Sequence, residues 1–220
     1  MQRDPEVSEI DRAANAASDI TRRKRPKPGE RRVQILQALA TMLEQPGGER
    51  VTTAALAARL EISEAALYRH FASKAQMFEG LIDFIEQSVF GLIQQITLRE
   101  DSTGASAEQS ARHRAATLVR LALQFSEKNP GMARVMVGDA LVFEHARLQQ
   151  RMNQFFDKFE AALRQTLRLA TTESATPSLE AQACAAVLTA YVMGRLQRYV
   201  RSGFRRSPSE QLDVALAQML

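Results

Sequence analysis

The sequence predicts an all-α protein: an N-terminal helix-turn-helix unit of three helices, followed by a C-terminal helical domain through which the chain dimerises. Three observations predict it. Apolar residues recur at helical spacing from about Glu30 onward, and no alternating strand pattern is evident. Clusters of Pro, Gly and Asn divide that stretch into separate helices. Residues 53–71, TAALAARLEISEAALYRHF, read as two short helices joined by a turn of a few residues.

Residues 1–28 lack periodicity and contain Pro5, Pro26 and Pro28, which predicts a disordered tail. Its end is basic. Arg22, Arg23, Lys24, Arg25, Lys27, Arg31 and Arg32 face a single acid, Glu30, in a chain whose net charge is only +4. A local basic block in a balanced chain points to a polyanionic partner. The first helix starts near Glu30, with Val33, Leu36, Leu39, Ala40 and Leu43 on its apolar face, and Pro46-Gly47-Gly48 ends it. A second helix covers Thr53 to Leu60 with Thr52 or Thr53 as N-cap. Glu61 and Ile62 form a tight turn, and Ser63 caps a third helix, Glu64 to Phe71. Ser73, with Gln76 three residues on, caps a long fourth helix to about Leu98. The polar stretch Arg99–Ser110 reads as a loop. Further helices are expected over about Ala111–Glu127, Met132–Leu141, Glu144–Leu169 and Leu179–Arg201, then a short amphipathic segment after Gly203 and Pro208. The expected domains are a basic arm (1–28), a helix-turn-helix domain (29–74) and a dimerisation domain (75–220).

Composition removes several function classes. Hydrophobic residues make up 45% and charged residues 25%, enough for a core without disulfide or metal. The one cysteine, Cys184, lies in the apolar run AQACAAVLTAYV and reads as a buried helix cysteine. No apolar run reaches the roughly 18 residues of a membrane span, and the N-terminal residues do not read as a signal peptide, so a cytoplasmic protein is expected. His113 and His145 lack ligand partners at metal-binding spacing, and no phosphate loop, Ser-His-Asp set or carboxylate pair is present. Neither a cofactor nor an enzymatic reaction is expected. The series Arg195, Arg198, Arg201, Arg205, Arg206 reads as a solvated face or as a contact for an anionic surface.

The third helix carries the function. On a helical wheel Ala66, Leu67, His70 and Phe71 take one side, and Glu64, Ala65, Tyr68 and Arg69 the other. The second set is the face that can enter a major groove, and its short N-terminal residues let the backbone approach base edges. Arg69 suits a guanine edge or a phosphate, whereas Tyr68, Thr52 and Thr53 suit phosphates. Lys74 stands in the first turn of the fourth helix, where its charge opposes the helix dipole; a DNA phosphate there would satisfy both the lysine and the free amides. The expected DNA-contacting residues are therefore Thr52, Thr53, Ser63, Glu64, Ala65, Tyr68, Arg69 and Lys74, with Arg22, Arg23, Lys24 and Arg25 of the extended arm entering a minor groove.

The run TTAALAARLEISEAALYRHFASKAQMFEGLIDFIE, with Leu-Tyr-Arg-His-Phe followed by Ser73-Lys74, resembles the DNA-binding domain of the TetR family. Glu61 departs from the glycine usual at the family's turn, where a left-handed backbone costs a non-glycine residue about 1 kcal/mol. Similarity continues through EKNPGMARVMVGDALVFEHARLQQRMNQFF and YVMGRLQRYVRSGFRRSP to the family's nucleoid occlusion factors. The resemblance implies a homodimer that binds palindromic double-stranded DNA and, when bound, blocks assembly of the tubulin-like division protein FtsZ. The residues alone give a partner surface only in outline. Phe84 lies at the edge of the fourth helix's apolar arc, Phe90 lies outside it, and the turn Lys128-Asn129 is placed for exposure. Phe84, Lys128 and Asn129 are the expected partner contacts. The competing reading is a repressor released by a small ligand, which requires an apolar cavity among the C-terminal helices.

Overall fold

The computed structural model describes residues 29–45, 50–98, 106–168, 170 and 176–220. The expected arm, with Arg22, Arg23, Lys24 and Arg25, lies outside the described residues. All regular structure among the described residues is helical.

Helix α1 (Glu30–Leu43) buries Ile35, Leu39, Ala40 and Leu43. Val33, expected in this core, is 53% exposed, because it falls at the edge of the buried arc and Ile35 sits nearer its centre. Helices α2 (Thr53–Arg59) and α3 (Glu64–Tyr68) pack on one another and seal Leu56, Ala57, Leu67 and Phe71. Helix α4 (Lys74–Leu98) leaves this unit and buries Met77, Phe78, Leu81, Ile82, Ile85, Val89 and Ile93. One polypeptide rod thus spans both domains.

Helix α5 (Ala107–Lys128) starts at Ala107 rather than Ala111, because Ser106 and Gln109 close a reciprocal capping box. Asn129 separates it from α6 (Pro130–Met136), which starts at Pro130 instead of Met132 and ends before Leu141. Proline fits there because the first residues of a helix have no intrahelical use for their N–H groups. A 3₁₀ turn (Asp139–Leu141) leads to α7 (Ala146–Leu167), and α8 (Pro177–Arg201) packs along α7 around Phe155, Phe159, Leu163, Leu188, Val192 and Leu196. Helix α9 (Leu212–Met219) closes the chain, its Met219 carbonyl 3.6 Å from the Cys184 thiol. Cys184 is half-buried, and burial raises its pKa against a smaller opposing effect of Arg112, so the thiol form is favoured.

The two halves are joined by close contact at α6. A Cβ on Gly131 would lie 2.0 Å from the Ala40 carbonyl oxygen, so only glycine lets α6 approach α1 this closely. Arg134 then donates to the carbonyls of Leu43 (3.2 Å) and Gln45 (3.4 Å) at the end of α1 and pairs with Asp139 (2.7 Å).

Candidate nucleic-acid interface

Three local devices shape the helix-turn-helix. Thr52 caps α2 by accepting from the Ala55 amide at 3.1 Å, and Ser63 caps α3 by accepting from the Ala66 amide at 3.2 Å. Between them the chain reverses through a left-handed residue. The Ile62 amide donates to Ala57 and the Glu61 amide to Ala58, both at 3.1 Å, and Glu61 has φ 53°. This is the Schellman arrangement, with glutamate where glycine is usual. It aims α3 across α2, and a hydrogen bond from Thr53 Oγ1 to Glu64 Oε2 at 2.7 Å locks the two N-terminal turns together.

The result is the face expected from the wheel. Glu64, Ala65, Tyr68 and Arg69 are exposed, Leu67 and Phe71 are buried, and Ala66 and His70 are half-buried. Thr52 and Ser63 are exposed beside this face, so threonine, serine, tyrosine and arginine side chains converge on one surface. Helix α3 is shorter than expected, ending at Tyr68 with Arg69 as C-cap rather than at Phe71. From α1, Arg32 donates to the His70 carbonyl and lays its guanidinium 4.1 Å over the Phe71 ring, which fixes that end. Arg32 belongs to the basic block in the sequence, yet its charge is used to position α3.

Lys74, expected to hold a DNA phosphate, has a protein partner in the structure. Its ammonium pairs with Glu144, whose side chain is 8% exposed, while Arg50 approaches the same carboxylate at 3.7 Å and donates to the Phe143 carbonyl at 3.3 Å. Glu144 comes from the segment between the 3₁₀ turn and α7, so this cluster ties the helix-turn-helix unit to the C-terminal domain. Ser73 accepts from the Gln76 amide at 3.2 Å as expected, but the Gln76 side chain reaches back to the Ala72 amide at 2.8 Å.

Phe84 is 47% exposed, whereas Phe90 packs on the Phe155 ring at 5.2 Å. Leu92, whose helical spacing puts it within the apolar arc of α4, is 42% exposed, with exposed Gly91 beside it. Lys128 is exposed, and Asn129 is half-buried with its amide donating to the Phe125 carbonyl at 2.7 Å. An open hollow of about 340 Å³ lies between α4, α5 and α7, bordered by Phe90, Ile93, Gln94, Arg114, Gln165 and Thr166.

Reasoning from sequence missed the positioning groups Arg32, Arg50, Arg134 and Glu144. They act across long sequence separations, and a charged residue in an amphipathic helix gives no local signal of its distant partner. Ser106 and Gln109 were a readable signal for the start of α5.

A short, capped recognition helix on a three-helix unit, joined by α4 to an all-helical domain, defines a TetR-type DNA-binding regulator. The family "Bacterial regulatory proteins, tetR family" matches residues 35–81, and "Tetracyclin repressor-like, C-terminal domain" matches residues 110–220. The fold is also that of the FadR fatty acid degradation regulator of Bacillus halodurans (TM-score 0.65, 14% identity, 88% of this chain and 96% of that one). The MbdR regulator of Azoarcus sp. CIB is similar (TM-score 0.67, 16% identity, 84% and 95%). Sequence similarity is narrower. The nucleoid occlusion factor SlmA of Marinomonas sp. is 47% identical over 84% of this chain and 90% of its own length, and that of Shewanella loihica 49% over 82% and 88%. The chain belongs to the SlmA family of nucleoid occlusion factors, DNA-binding regulators rather than enzymes. Among the described residues no helix is long and apolar enough to cross a membrane.

Proposed function

We propose that this protein binds palindromic sites on chromosomal DNA as a homodimer and, while bound, blocks FtsZ assembly over the nucleoid. The observation that carries this is the exposed face Glu64-Ala65-Tyr68-Arg69, set by two side-chain caps in a chain whose relatives are nucleoid occlusion factors. Arg69 reads base edges, Thr52, Thr53, Ser63, Tyr68 and Lys74 hold phosphates, and Arg22, Arg23, Lys24 and Arg25 reach a minor groove. The DNA-binding unit is residues 29–74, and residues 75–220 form the dimerising and partner-binding domain. Dimerisation is supported by α8, where Leu179, Ala183, Val187, Ala190, Met193 and Gly194 are exposed at helical spacing, a small apolar stripe of the kind that packs against its own copy. By contrast, Phe155, Phe156, Phe159, Leu163 and Leu167 of α7 are buried within the protomer. FtsZ meets Phe84 on α4 together with Lys128 and Asn129, with exposed Leu92 two turns further along the same helix. The protein is accordingly placed in the cytoplasm, on the nucleoid.

The test is FtsZ sedimentation with GTP in the presence of a genomic fragment selected by the protein. Protein and fragment together should reduce pelleted polymer, and either alone should not. Phe84→Glu should keep fragment binding and lose the effect by at least about tenfold, as expected for a central anchor. Unchanged polymer with DNA-saturated wild-type protein overturns the reading.

A further inference from the structure

Lys74 holds a charge that its own helix disfavours. It stands in the first turn of α4, a 25-residue helix whose N-terminal pole repels a cation. The charge is sustained from elsewhere. The ammonium is turned inward, 5.6 Å from the centroid of the buried Phe78 ring, and pairs with Glu144. Glu144 stands on the segment before α7, and its side chain is 8% exposed. A carboxylate so far from water needs a cationic partner. It has a second within reach, because Arg50 approaches at 3.7 Å from a largely exposed position.

Farther along, α4 and α7 are joined by ion pairs of the opposite polarity. Glu79 of α4 takes Arg147 (2.7 Å), Asp83 takes Arg151 (2.9 Å), and Glu86 takes Arg151 (2.7 Å) and Lys158 (3.3 Å). There α4 supplies the acids and α7 the bases. The Lys74–Glu144 pair is reversed: its cation is on α4, at the end that joins the helix-turn-helix unit. A polyanion at that unit competes with Glu144 for this cation, whereas the cations of the other pairs stand on α7. A phosphate also suits the α4 N-terminus that the lysine opposes. The segment carrying Glu144 is lightly held. Val142 and Phe143 are exposed, and a cavity of about 270 Å³ bordered by Arg50, Arg134, Phe143 and Glu144 lies beside the pair. Glu144 therefore has room to shift without displacing packed core.

We propose that the Lys74–Glu144 pair is a latch that reports DNA occupancy to the C-terminal domain. In the free protein it ties the start of α4 to the segment before α7. A DNA phosphate turns Lys74 outward, Glu144 passes to Arg50 alone, and α4 is released from α7 at this end. The released form is the one that acts on FtsZ. This rests on the proposed function, whose dependence on DNA it explains. The coupling is reciprocal: DNA opens the latch, and whatever else opens the latch favours the DNA-bound form.

The test uses full-length protein in two arms. Hydrogen exchange follows the latch without FtsZ. The Glu144 amide donates to the Leu141 carbonyl at 3.0 Å and the Leu148 amide to the His145 carbonyl at 2.9 Å, so peptides over 141–148 report on the segment. Saturating selected fragment should speed their exchange in wild type. Glu144→Gln and Lys74→Ala should show the faster exchange without DNA. FtsZ sedimentation without DNA follows the consequence. Both variants should reduce pelleted polymer, Glu144→Gln at about one-fifth of the concentration that wild type needs, the same factor by which it gains fragment affinity. Fragment affinity should rise in Glu144→Gln and fall in Lys74→Ala, which also loses a phosphate ligand. A mere strut lowers affinity in both and gives no effect without DNA. Circular dichroism checks the fold, and if a variant fails to fold the wild-type exchange arm decides. Two results overturn the inference: exchange over 141–148 that DNA leaves unchanged, and folded variants that still need DNA to act on FtsZ. If exchange responds to DNA but wild type with fragment leaves FtsZ polymer unchanged, the proposed function fails while the latch stands.

Discussion

Helix α3 and helix α8 hold their places by opposite means. The recognition helix is five residues long and buries only Leu67. No helix so short persists alone in water, since nucleation costs more than a single turn returns. Its position is imposed by the Ser63 cap, the Thr53–Glu64 bond, the left-handed Glu61 and Arg32 on the His70 carbonyl. Helix α8 has 25 residues and buries Leu188, Val192, Leu196 and Tyr199 against its neighbours. Burial at roughly 25 cal/mol per Å² keeps it in place without special contacts. The difference teaches where function is free to vary: the face of α3 carries almost no stability, so its side chains can be chosen for DNA, whereas α8 can give only its outward stripe and its end to partners.

The largest effect is expected where the two regions meet. Gly131→Ala should force α6 off α1, because the added carbon would stand 2.0 Å from backbone oxygen, which cannot rotate away. A loss of about 3 kcal/mol is expected, the upper part of the range for overpacking. That corresponds to a fall in Tm of roughly 6–12 °C in a chain of this size. Selected-fragment affinity should fall with it at temperatures where α8 stays helical by circular dichroism. An unchanged Tm would mean that α6 does not fix the DNA-binding unit, and the comparison would lose its hinge.

The local part of this architecture was legible in the sequence and the distant part was not. Caps at Thr52 (or Thr53), Ser63 and Ser73, the exposed set Glu64, Ala65, Tyr68 and Arg69, and a tight turn at Glu61-Ile62 follow from residues a few positions apart, whereas the left-handed backbone at Glu61 was implied only by the family resemblance. Glu144 pairs with Lys74 across 70 residues of chain, and Arg134 reaches Leu43 across 91. Nothing in the surroundings of either acid or base signals that. Leu92 illustrates the same limit: its periodicity places it on the buried arc, but no neighbouring helix covers it.

A middle effect separates two roles for Lys74. As a phosphate ligand it must leave or share Glu144; as a strut it must stay. Lys74→Ala should weaken binding to every DNA sequence and lower the salt slope by about one. Glu144→Gln should do the reverse, raising affinity by up to about fivefold, the equivalent of roughly 1 kcal/mol. Thermal stability should fall in both. Fluorescence anisotropy across a salt series distinguishes the roles. If both variants lose affinity without a change of slope, Lys74 only braces the two domains.

The smallest effect tests whether the turn before α3 is held by backbone or by side chain. Glu61 sits at φ 53°, where glycine has no steric penalty and alanine has the full one. Comparing Glu61→Gly with Glu61→Ala removes the glutamate side chain in both cases, so whatever contacts it makes cancel. The glycine variant should be the more stable by about 1 kcal/mol, or roughly 2–4 °C in Tm. The same pair of residues should reverse order at Ala58, an exposed position inside α2, where Ala58→Gly should cost about 1 kcal/mol. Opposite signs at two positions three residues apart would show that the reversal between α2 and α3 is a property of one dihedral angle. Equal signs would mean that the turn relaxes to accept alanine, and that α3 is aimed by Thr53, Glu64 and Arg32 instead.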